Sequence, residues 1–177
     1  MLYCSIKQNM TIVYKNMSMN SSDTNEGGWA DTEIRTFLNG TNGRGQLSNN
    51  SYIKQVKKKY IATYNDASSV TTCNDYLWLL AASEVVNNGY NGSGMYGYAI
   101  TSEGSQYKYY QRVTDEWNSS SEGRQKRPSA LDSTTYWWLR SPYYGDSYTF
   151  CHVYSGSSTD GALSASNTYG VAPGFCI

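Results

Sequence analysis

The chain has 177 residues, which is enough for one domain with a substantial buried core, and its formal net charge is +0. This neutrality gives no electrostatic reason to expect nucleic acid or an anionic membrane as a partner, so neither is predicted. Hydrophobic residues make up only 39% of the chain, and 18 Tyr and 5 Trp against 3 Phe favour a surface in which aromatic rings keep one edge wet.

The N-terminal half predicts short elements joined by polar loops. A strand rich in β-forming residues is expected at 11–15, followed by a loop up to residue 25. The clearest helix follows Gly27-Gly28 and is ended by Asn39-Gly40. Its apolar face is formed by Trp29, Ile34, Phe37 and Leu38. A second, shorter helix is expected over 52–56 and a strand over 60–64.

The C-terminal half predicts strands after a long irregular stretch. Residues 76–81 are a continuous apolar run typical of a fully buried strand, and a one-turn helix is expected at Ser83-Glu84. An irregular glycine-rich insertion, a short helix and a polar loop are expected over 87–104, 105–112 and 119–133. From residue 136 onward, three or four short strands are expected, with turns at Gly145, Gly156 and Gly161. Helices first and antiparallel strands late predict a single α+β domain over 1–177.

Side chains suited to catalysis or metal binding are sparse. The single histidine, His152, lies between Cys151 and Val153 in a predicted strand, so it should point outward if they are buried. We therefore expect an exposed contact residue rather than a catalytic base. The four cysteines are widely spaced without a Cys-x-x-Cys pattern, so no metal site and no cofactor is predicted. Cys151 and Cys176, each after a Phe, are interpreted as buried core residues, with two disulfides as the alternative.

The strongest signal lies in residues 136–177, where apolar markers alternate with runs of Tyr, Ser, Thr, Asp, Asn and Gly. The markers predict a rigid buried scaffold: Trp137, Trp138, Phe150, Val153, Val171 and Phe175. The runs resemble antibody contact loops, in which Tyr supplies stiff amphipathic area and small polar residues supply adaptable hydrogen bonds. Wet faces of an antiparallel sheet are the alternative interpretation. The predicted ligand-binding residues are Tyr143, Tyr144, Asp146, Ser147, Tyr148, His152, Tyr154, Ser155, Ser157, Asp160, Ser164, Asn167, Thr168 and Tyr169.

Several sequence blocks occur in a characteristic order. They are Gly27-Gly28-Trp29 with Ile34 to Gly40, Leu77-Trp78-Leu79-Leu80-Ala81-Ala82-Ser83-Glu84, Glu103-Gly104-Ser105-Gln106-Tyr107, Trp137-Trp138-Leu139-Arg140-Ser141-Pro142, Phe150-Cys151-x-Val153 and Gly170-Val171-Ala172-Pro173-Gly174-Phe175-Cys176-Ile177. In this combination the chain resembles, over residues 10–177, the DUF6273 family of bacterial and phage-associated proteins. It is also similar to the C-type-lectin-like domains shared with formylglycine-generating enzymes.

The resemblance implies a C-type-lectin-like fold, with two or more short helices packed on a small antiparallel sheet with long loops. It also implies similarity to the variable proteins of diversity-generating retroelements, in which adenine-directed mutagenesis rewrites C-terminal codons. Asn codons treated in this way yield Tyr, Ser, Asp, His, Gly, Thr and Ala, the residues found between the markers here. The implied protein is a non-enzymatic receptor-binding or adhesin-like domain, with 136–177 as its display region.

The expected partner is a protein or glycan ligand on a cell surface, and a phage particle or bacterial surface is the favoured location. Neither a signal peptide nor an apolar run long enough to span a membrane is visible. The calcium-lectin triplets Glu-Pro-Asn and Gln-Pro-Asp are missing, and Trp117-Asn118 is followed by Ser119 rather than Asp. Calcium-mediated sugar binding is therefore not predicted.

Two other hypotheses stay open. One is an active or degenerate enzyme on the same fold, which a pocket combining Arg140 with a buried carboxylate would favour. The other is a structural module of a phage tail or bacterial surface protein, which exposed apolar area near the N-terminus would favour.

Overall fold

A computed structural model describes residues 4–5, 15–47, 50–66, 68–86, 103–112, 124, 126, 135–154 and 159–177. The α-helices in this part of the chain are α1 (Glu33–Asn39) and α2 (Ala82–Val85). Its strands are β1 (Cys4–Ser5), β2 (Asn16–Met17), β3 (Val56–Ile61), β4 (Val70–Asp75), β5 (Trp137–Pro142), β6 (Thr149–Val153), β7 (Thr159–Ser164), β8 (Tyr169–Gly170) and β9 (Phe175–Cys176). Short 3-10 turns occur at Gly28–Asp31, Arg44–Gln46, Asn50–Tyr52 and Tyr110–Arg112.

The helix predicted after Gly27-Gly28 is present but divided. Gly28 has φ +58°, and a Cβ there would collide with the Ile61 carbonyl, so this position requires glycine. After the 3-10 turn, Thr32 becomes extended and its side chain accepts a hydrogen bond from the Arg35 backbone N–H at 3.2 Å. This cap starts α1, and Glu33 in its first turn complements the helix dipole.

The centre of the fold is a five-stranded sheet in the order β2-β8-β5-β6-β7. Strands β5, β6 and β7 form an antiparallel meander, whereas β8 runs parallel to β5. Two separate ribbons pair β3 with β4 and β1 with β9. The α+β class is therefore confirmed, but the central sheet is mixed rather than purely antiparallel.

Both faces of the central strands β5 and β6 are covered, since every residue of the two strands is buried. Trp138 and Phe150 belong to a core cluster that also contains residues of α1. Trp137 and Leu139 belong to a second cluster that contains residues of α2. In strands that are buried on both faces, hydrophobic residues form near-continuous runs instead of alternating with polar residues. Burial on both sides makes this pair of strands the rigid centre of the domain.

Before residue 65, one predicted element is wrong and another has different bounds. Residues 52–56 are not helical, because a 3-10 turn ends at Tyr52 and Val56 begins β3. The strand predicted at 60–64 starts earlier and ends at Ile61, since β4 offers pairing partners only for Val56–Ile61. Of the strand predicted at 11–15, only Lys15 lies within the described residues, and it precedes β2.

Among the elements predicted from residue 76 onward, α2 is confirmed. The run 76–81 is largely buried as expected, but it is not a strand. Its backbone bonds to separate partners instead of one ladder: Trp78 pairs with Gly174, and the Leu80 carbonyl accepts from the Arg140 N–H. The helix predicted at 105–112 is reduced to the turn Tyr110–Arg112. Gly161 lies inside β7 rather than in a turn, and Gly156 lies outside the described residues.

The cysteines differ in chemistry. Cys151 is buried and carries a thiol, which confirms its interpretation as a core residue, and Cys73 also carries a thiol. Cys176 is buried as expected, but it is disulfide-bonded, and its register partner across β1 and β9 is Cys4.

Among the described residues, no helix has the length and apolar character needed to cross a membrane.

Candidate functional site

The predicted ligand-binding residues divide between the two ends of the central sheet. The β5–β6 connection carries Tyr144, Asp146, Ser147 and Tyr148, which we call the turn patch. At the other end, the rings of Tyr136, His152, Tyr154 and Tyr169 pack together; these four residues are the aromatic cluster. Since β5 is six residues long, at about 3.3 Å per residue the two ends are about 15–20 Å apart. The predicted residues therefore form two surfaces rather than one.

The turn patch is the more exposed surface. Tyr144 and Tyr148 are 40% and 46% exposed, and Ser147 is exposed as well. The Asp146 Oδ1 atom accepts hydrogen bonds from the backbone N–H groups of Tyr148 at 3.0 Å and Thr149 at 2.8 Å, which closes the turn. The prediction that Tyr143 is exposed is wrong. Its ring belongs to the core cluster beside α2, so Tyr143 serves the scaffold.

A fully buried asparagine holds the turn patch from behind. The Asn25 Nδ2 atom donates to the carbonyls of Asp146 and Thr149, both at 2.8 Å. The Asn25 backbone N–H donates to the Ser147 carbonyl at 2.8 Å. Three hydrogen bonds from one residue therefore set the course of the turn, and none of them involves the exposed side chains. The exposed side chains of Ser147 and Tyr148 can therefore change at little cost in stability, whereas the Asp146 carboxylate is part of the turn itself.

The segment after β7 borders the turn patch. The Ala165 backbone N–H donates to the Tyr148 carbonyl at 2.8 Å, and the Ser164 hydroxyl is hydrogen-bonded to the Asp23 carboxylate. Asn167 and Thr168 follow on the exposed part of this segment. Two further predicted residues, Ser155 and Ser157, lie outside the described residues. The backbone of a third, Asp160, pairs with His152 in the β6–β7 ladder.

The aromatic cluster corrects the prediction for His152, which is 0% exposed rather than outward-facing. An outward-facing His152 requires a strand with only one buried face, whereas both faces of β6 are buried. The rings of Tyr136 and Tyr154 pack against the imidazole at centroid distances of 5.9 and 4.6 Å. Tyr136, Tyr154 and Tyr169 are themselves half-buried. Tyr136 lies in the predicted display region 136–177, but it is not one of the predicted ligand-binding residues.

A buried charge network joins distant parts of the chain around Arg140. Its Nη1 atom donates to Glu84 at 2.6 Å and to the Leu79 carbonyl at 2.8 Å. Its Nε and Nη2 atoms donate to the carbonyls of Lys59 and Glu103 at 3.0 and 3.1 Å. All three guanidinium nitrogens are thus engaged by protein groups. The network ties β5 to β3, α2 and the segment that begins at residue 103.

Both carboxylates of this network are also satisfied from within the protein. Glu84 accepts from the Lys58 Nζ atom at 2.5 Å and from the Ala81 N–H at 3.0 Å. Burial alone would raise the pKa of Glu84, but the Arg140 and Lys58 charges lower it overall. Glu103 accepts from the Ile61 N–H at 3.2 Å and from the Ser141 hydroxyl. A buried network whose donors and acceptors are matched in this way stabilises the fold. We call the network of Lys58, Glu84, Glu103 and Arg140 the clamp.

Arg140 beside buried carboxylates is the combination that the enzyme hypothesis required. Its polar atoms are hydrogen-bonded to one another and to backbone groups, and they belong to four separate chain segments. The sequence carries a weak signal for it, because Glu84 and Arg140 both follow apolar residues, where an unpaired charge would be costly. Within the part of the chain that the structure describes, no cluster of three or more His, Cys, Asp or Glu side chains could hold a metal ion.

The clamp predicts a distinctive pH dependence. Burial raises the pKa of Glu103 to about 7, from an ordinary value of 4.5. The folded protein therefore retains a proton that the unfolded chain releases between about pH 4.5 and 7, so the free energy of unfolding should fall as pH rises through this window. Glu103→Gln should remove most of this slope. Urea unfolding of both proteins at several pH values measures it, and identical slopes would contradict the assignment.

Comparison with known proteins bears on the chain as a whole. The profile of the family described as "Domain of unknown function (DUF6273)" matches residues 6–177. The chain belongs to the DUF6273 family. Searches of curated proteins and of solved structures found no match. The matched range includes α1, α2, the central sheet, the turn patch and the clamp, so each of these features lies within the family domain of this DUF6273 protein.

Proposed function

We propose that this DUF6273 domain is a non-enzymatic ligand-binding domain whose contact surface is the turn patch. The observation that carries the proposal is the contrast along β5 and β6. Every residue of both strands is buried, while the turn between them places Tyr144 and Tyr148 in solvent. Exposed tyrosines on a rigid frame bind with little loss of conformational entropy, since Tyr has few rotatable bonds and the backbone beneath these residues is held by hydrogen bonds.

The finer assignment is a C-type-lectin-like display domain of the diversity-generating-retroelement type, on a phage particle or bacterial surface. Its support is the resemblance of the ordered sequence blocks and the Tyr, Ser, Asp, His, Gly and Thr content between them. Diversification would be useful at the exposed positions of the turn patch and at Asn167 and Thr168. It would be restricted at Tyr143 and His152, which are buried. A near-repeat of the 3′ coding region that differs mainly at adenines, beside a reverse transcriptase gene, tests this assignment.

No catalytic role is proposed for the clamp, because its guanidinium and carboxylate groups are hydrogen-bonded to one another and to backbone groups. The aromatic cluster is a second half-buried surface, but its rings lie only 4.6–5.9 Å from one another by centroid and pack mutually. We assign it to support of the sheet end.

Binding should depend on the exposed tyrosines. In an array of bacterial surface proteins and glycans, Tyr144→Ser/Tyr148→Ser should weaken each specific interaction at least about tenfold, as loss of two aromatic anchors does at other interfaces. Tyr52→Ser is the matched control, because Tyr52 is 65% exposed on the turn Asn50–Tyr52. Thermal unfolding should verify that both variants stay folded. Equal binding by the double variant and the wild type would refute the proposed function.

A further inference from the structure

The described segments that meet at the turn patch carry acidic but no basic side chains. Three chain segments meet there: 16–34, 141–150 and 163–169. They contain no Lys or Arg at all. Their acidic residues are Asp23, Glu26, Asp31, Glu33 and Asp146. In a chain of formal net charge +0, this local excess implies that compensating positive charge lies elsewhere.

Hydrogen bonds bring the loop that carries Asp23 and Glu26 to the turn patch. Asp23 and Glu26 flank Asn25, whose backbone and side chain bind the turn patch directly. Asp23 also accepts from the backbone N–H of Ser166 at 3.3 Å, close to the point where Ala165 bonds to Tyr148. Glu33 accepts from the Ser21 N–H at 3.0 Å. Asp23 and Glu26 therefore lie beside the turn patch, while Glu33 is held to the same N-terminal loop through Ser21.

Four of these carboxylates are exposed to solvent. Asp23, Glu26, Asp31 and Glu33 are exposed, and none of them forms an ion pair with a described residue. A hydrogen bond from the Ser164 hydroxyl lowers the pKa of Asp23, and one from the Ser21 hydroxyl lowers the pKa of Glu33. Among the described residues, the exposed lysines are Lys54, Lys57, Lys59 and Lys108, which lie outside these segments, and Lys15, which directly precedes the first of them.

We propose that the turn patch docks a basic protein surface, with Tyr144 and Tyr148 packing on the stems of Lys or Arg side chains and the surrounding carboxylates facing their charged heads. Tyr rings attract cations through their faces, and the aliphatic stems of Lys and Arg cover apolar area. The carboxylates would steer such a partner and discourage acidic ones. This inference rests on the proposed function, since it specifies the ligand class of the same surface.

A phage-displayed library of random 12-residue peptides provides the probe. Peptides are selected on the wild-type domain after depletion on Tyr144→Ser/Tyr148→Ser, so that only tyrosine-dependent binders remain. We expect an excess of Lys and Arg among them. The affinity of these peptides for the variant Asp23→Asn/Glu26→Gln/Asp31→Asn/Glu33→Gln should be about tenfold lower than for the wild type. Each amide in this variant keeps one oxygen that can accept the hydrogen bonds of the carboxylate it replaces. The affinity for the wild type should also fall as the salt concentration is raised. Asp66→Asn, a neutralised exposed carboxylate in the β3–β4 turn, is the matched control.

The outcomes separate this inference from the proposed function. Tyrosine-dependent peptides that are neutral or acidic, or that bind the neutralised variant as well as the wild type, would overturn the basic partner while leaving a binding surface in place. Recovery of no tyrosine-dependent peptide would also overturn it, and the surface array then decides the proposed function independently. Salt-sensitive self-association that requires Tyr144 and Tyr148 would assign the surface to a second copy of the chain instead.

Discussion

Replacing Arg140 by Met should destabilise the domain by about 3–5 kcal/mol, the largest effect that we expect from one substitution. Arg140 is fully buried, and its loss removes four hydrogen bonds and leaves Glu84 and Glu103 without their central cation. The carbonyls of Lys59 and Leu79 would lose their guanidinium donor at the same time. Urea unfolding at neutral pH measures the loss directly.

A double variant distinguishes loss of charge compensation from simple repacking. Glu103→Gln removes the carboxylate that has no cation partner other than Arg140 among the described residues, while Glu84 keeps Lys58. Arg140→Met/Glu103→Gln should therefore be less destabilised than the sum of the two single variants. A cost below about 1 kcal/mol for Arg140→Met, or strict additivity of the pair, would mean that the clamp does not stabilise the fold as proposed.

Replacing Asn25 by Ala should cost about 2–3 kcal/mol and should loosen the turn patch at the same time. The substitution leaves the carbonyls of Asp146 and Thr149 without the amide donor that binds them, and Asn25 is completely buried. Amide hydrogen exchange should accelerate at Tyr148 and Thr149 more than in α1. Ligand affinity should fall although no contact side chain has been changed, because the patch would lose its ordering.

Asn167→Ala is the matched control for this variant, since Asn167 is exposed beside the same surface. It should change the free energy of unfolding by less than about 0.5 kcal/mol. If Asn25→Ala left exchange in residues 146–149 unchanged, the turn would be ordered by its own residues and the bracing role of Asn25 would be wrong.

Local patterns in the sequence were sufficient for the elements that depend on local physics. The apolar face of α1 and its end at Asn39-Gly40 follow from helical periodicity and end signals. The buried character of residues 76–81 and of Trp137-Trp138 also follows from composition. Burial did not translate into a strand at 76–81, because strand formation requires a continuous partner. Only Trp78 has a bridging partner there, Gly174, almost a hundred residues away.

The features that define the candidate site depend on contacts between remote segments. Asn25 lies in a polar stretch without any distinguishing pattern, yet it binds Asp146 and Thr149 more than 120 residues later. Strand alternation predicts that His152 points away from Cys151 and Val153. It does not reveal that a second layer of the protein covers that face as well. The split of the predicted contact residues into two surfaces likewise follows from strand direction in the meander, which the sequence alone does not reveal.

The central claim is that ligands bind at the β5–β6 turn of a rigid DUF6273 scaffold. The most direct test is to titrate a ¹⁵N-labelled domain with the first ligand identified on the surface array and to follow its amide resonances. We predict shift changes concentrated at residues 144–148 and 164–168, with the amides of β3 and β4 unaffected. Changes confined to the β3–β4 ribbon or to the aromatic cluster, with the turn unperturbed, would contradict the account.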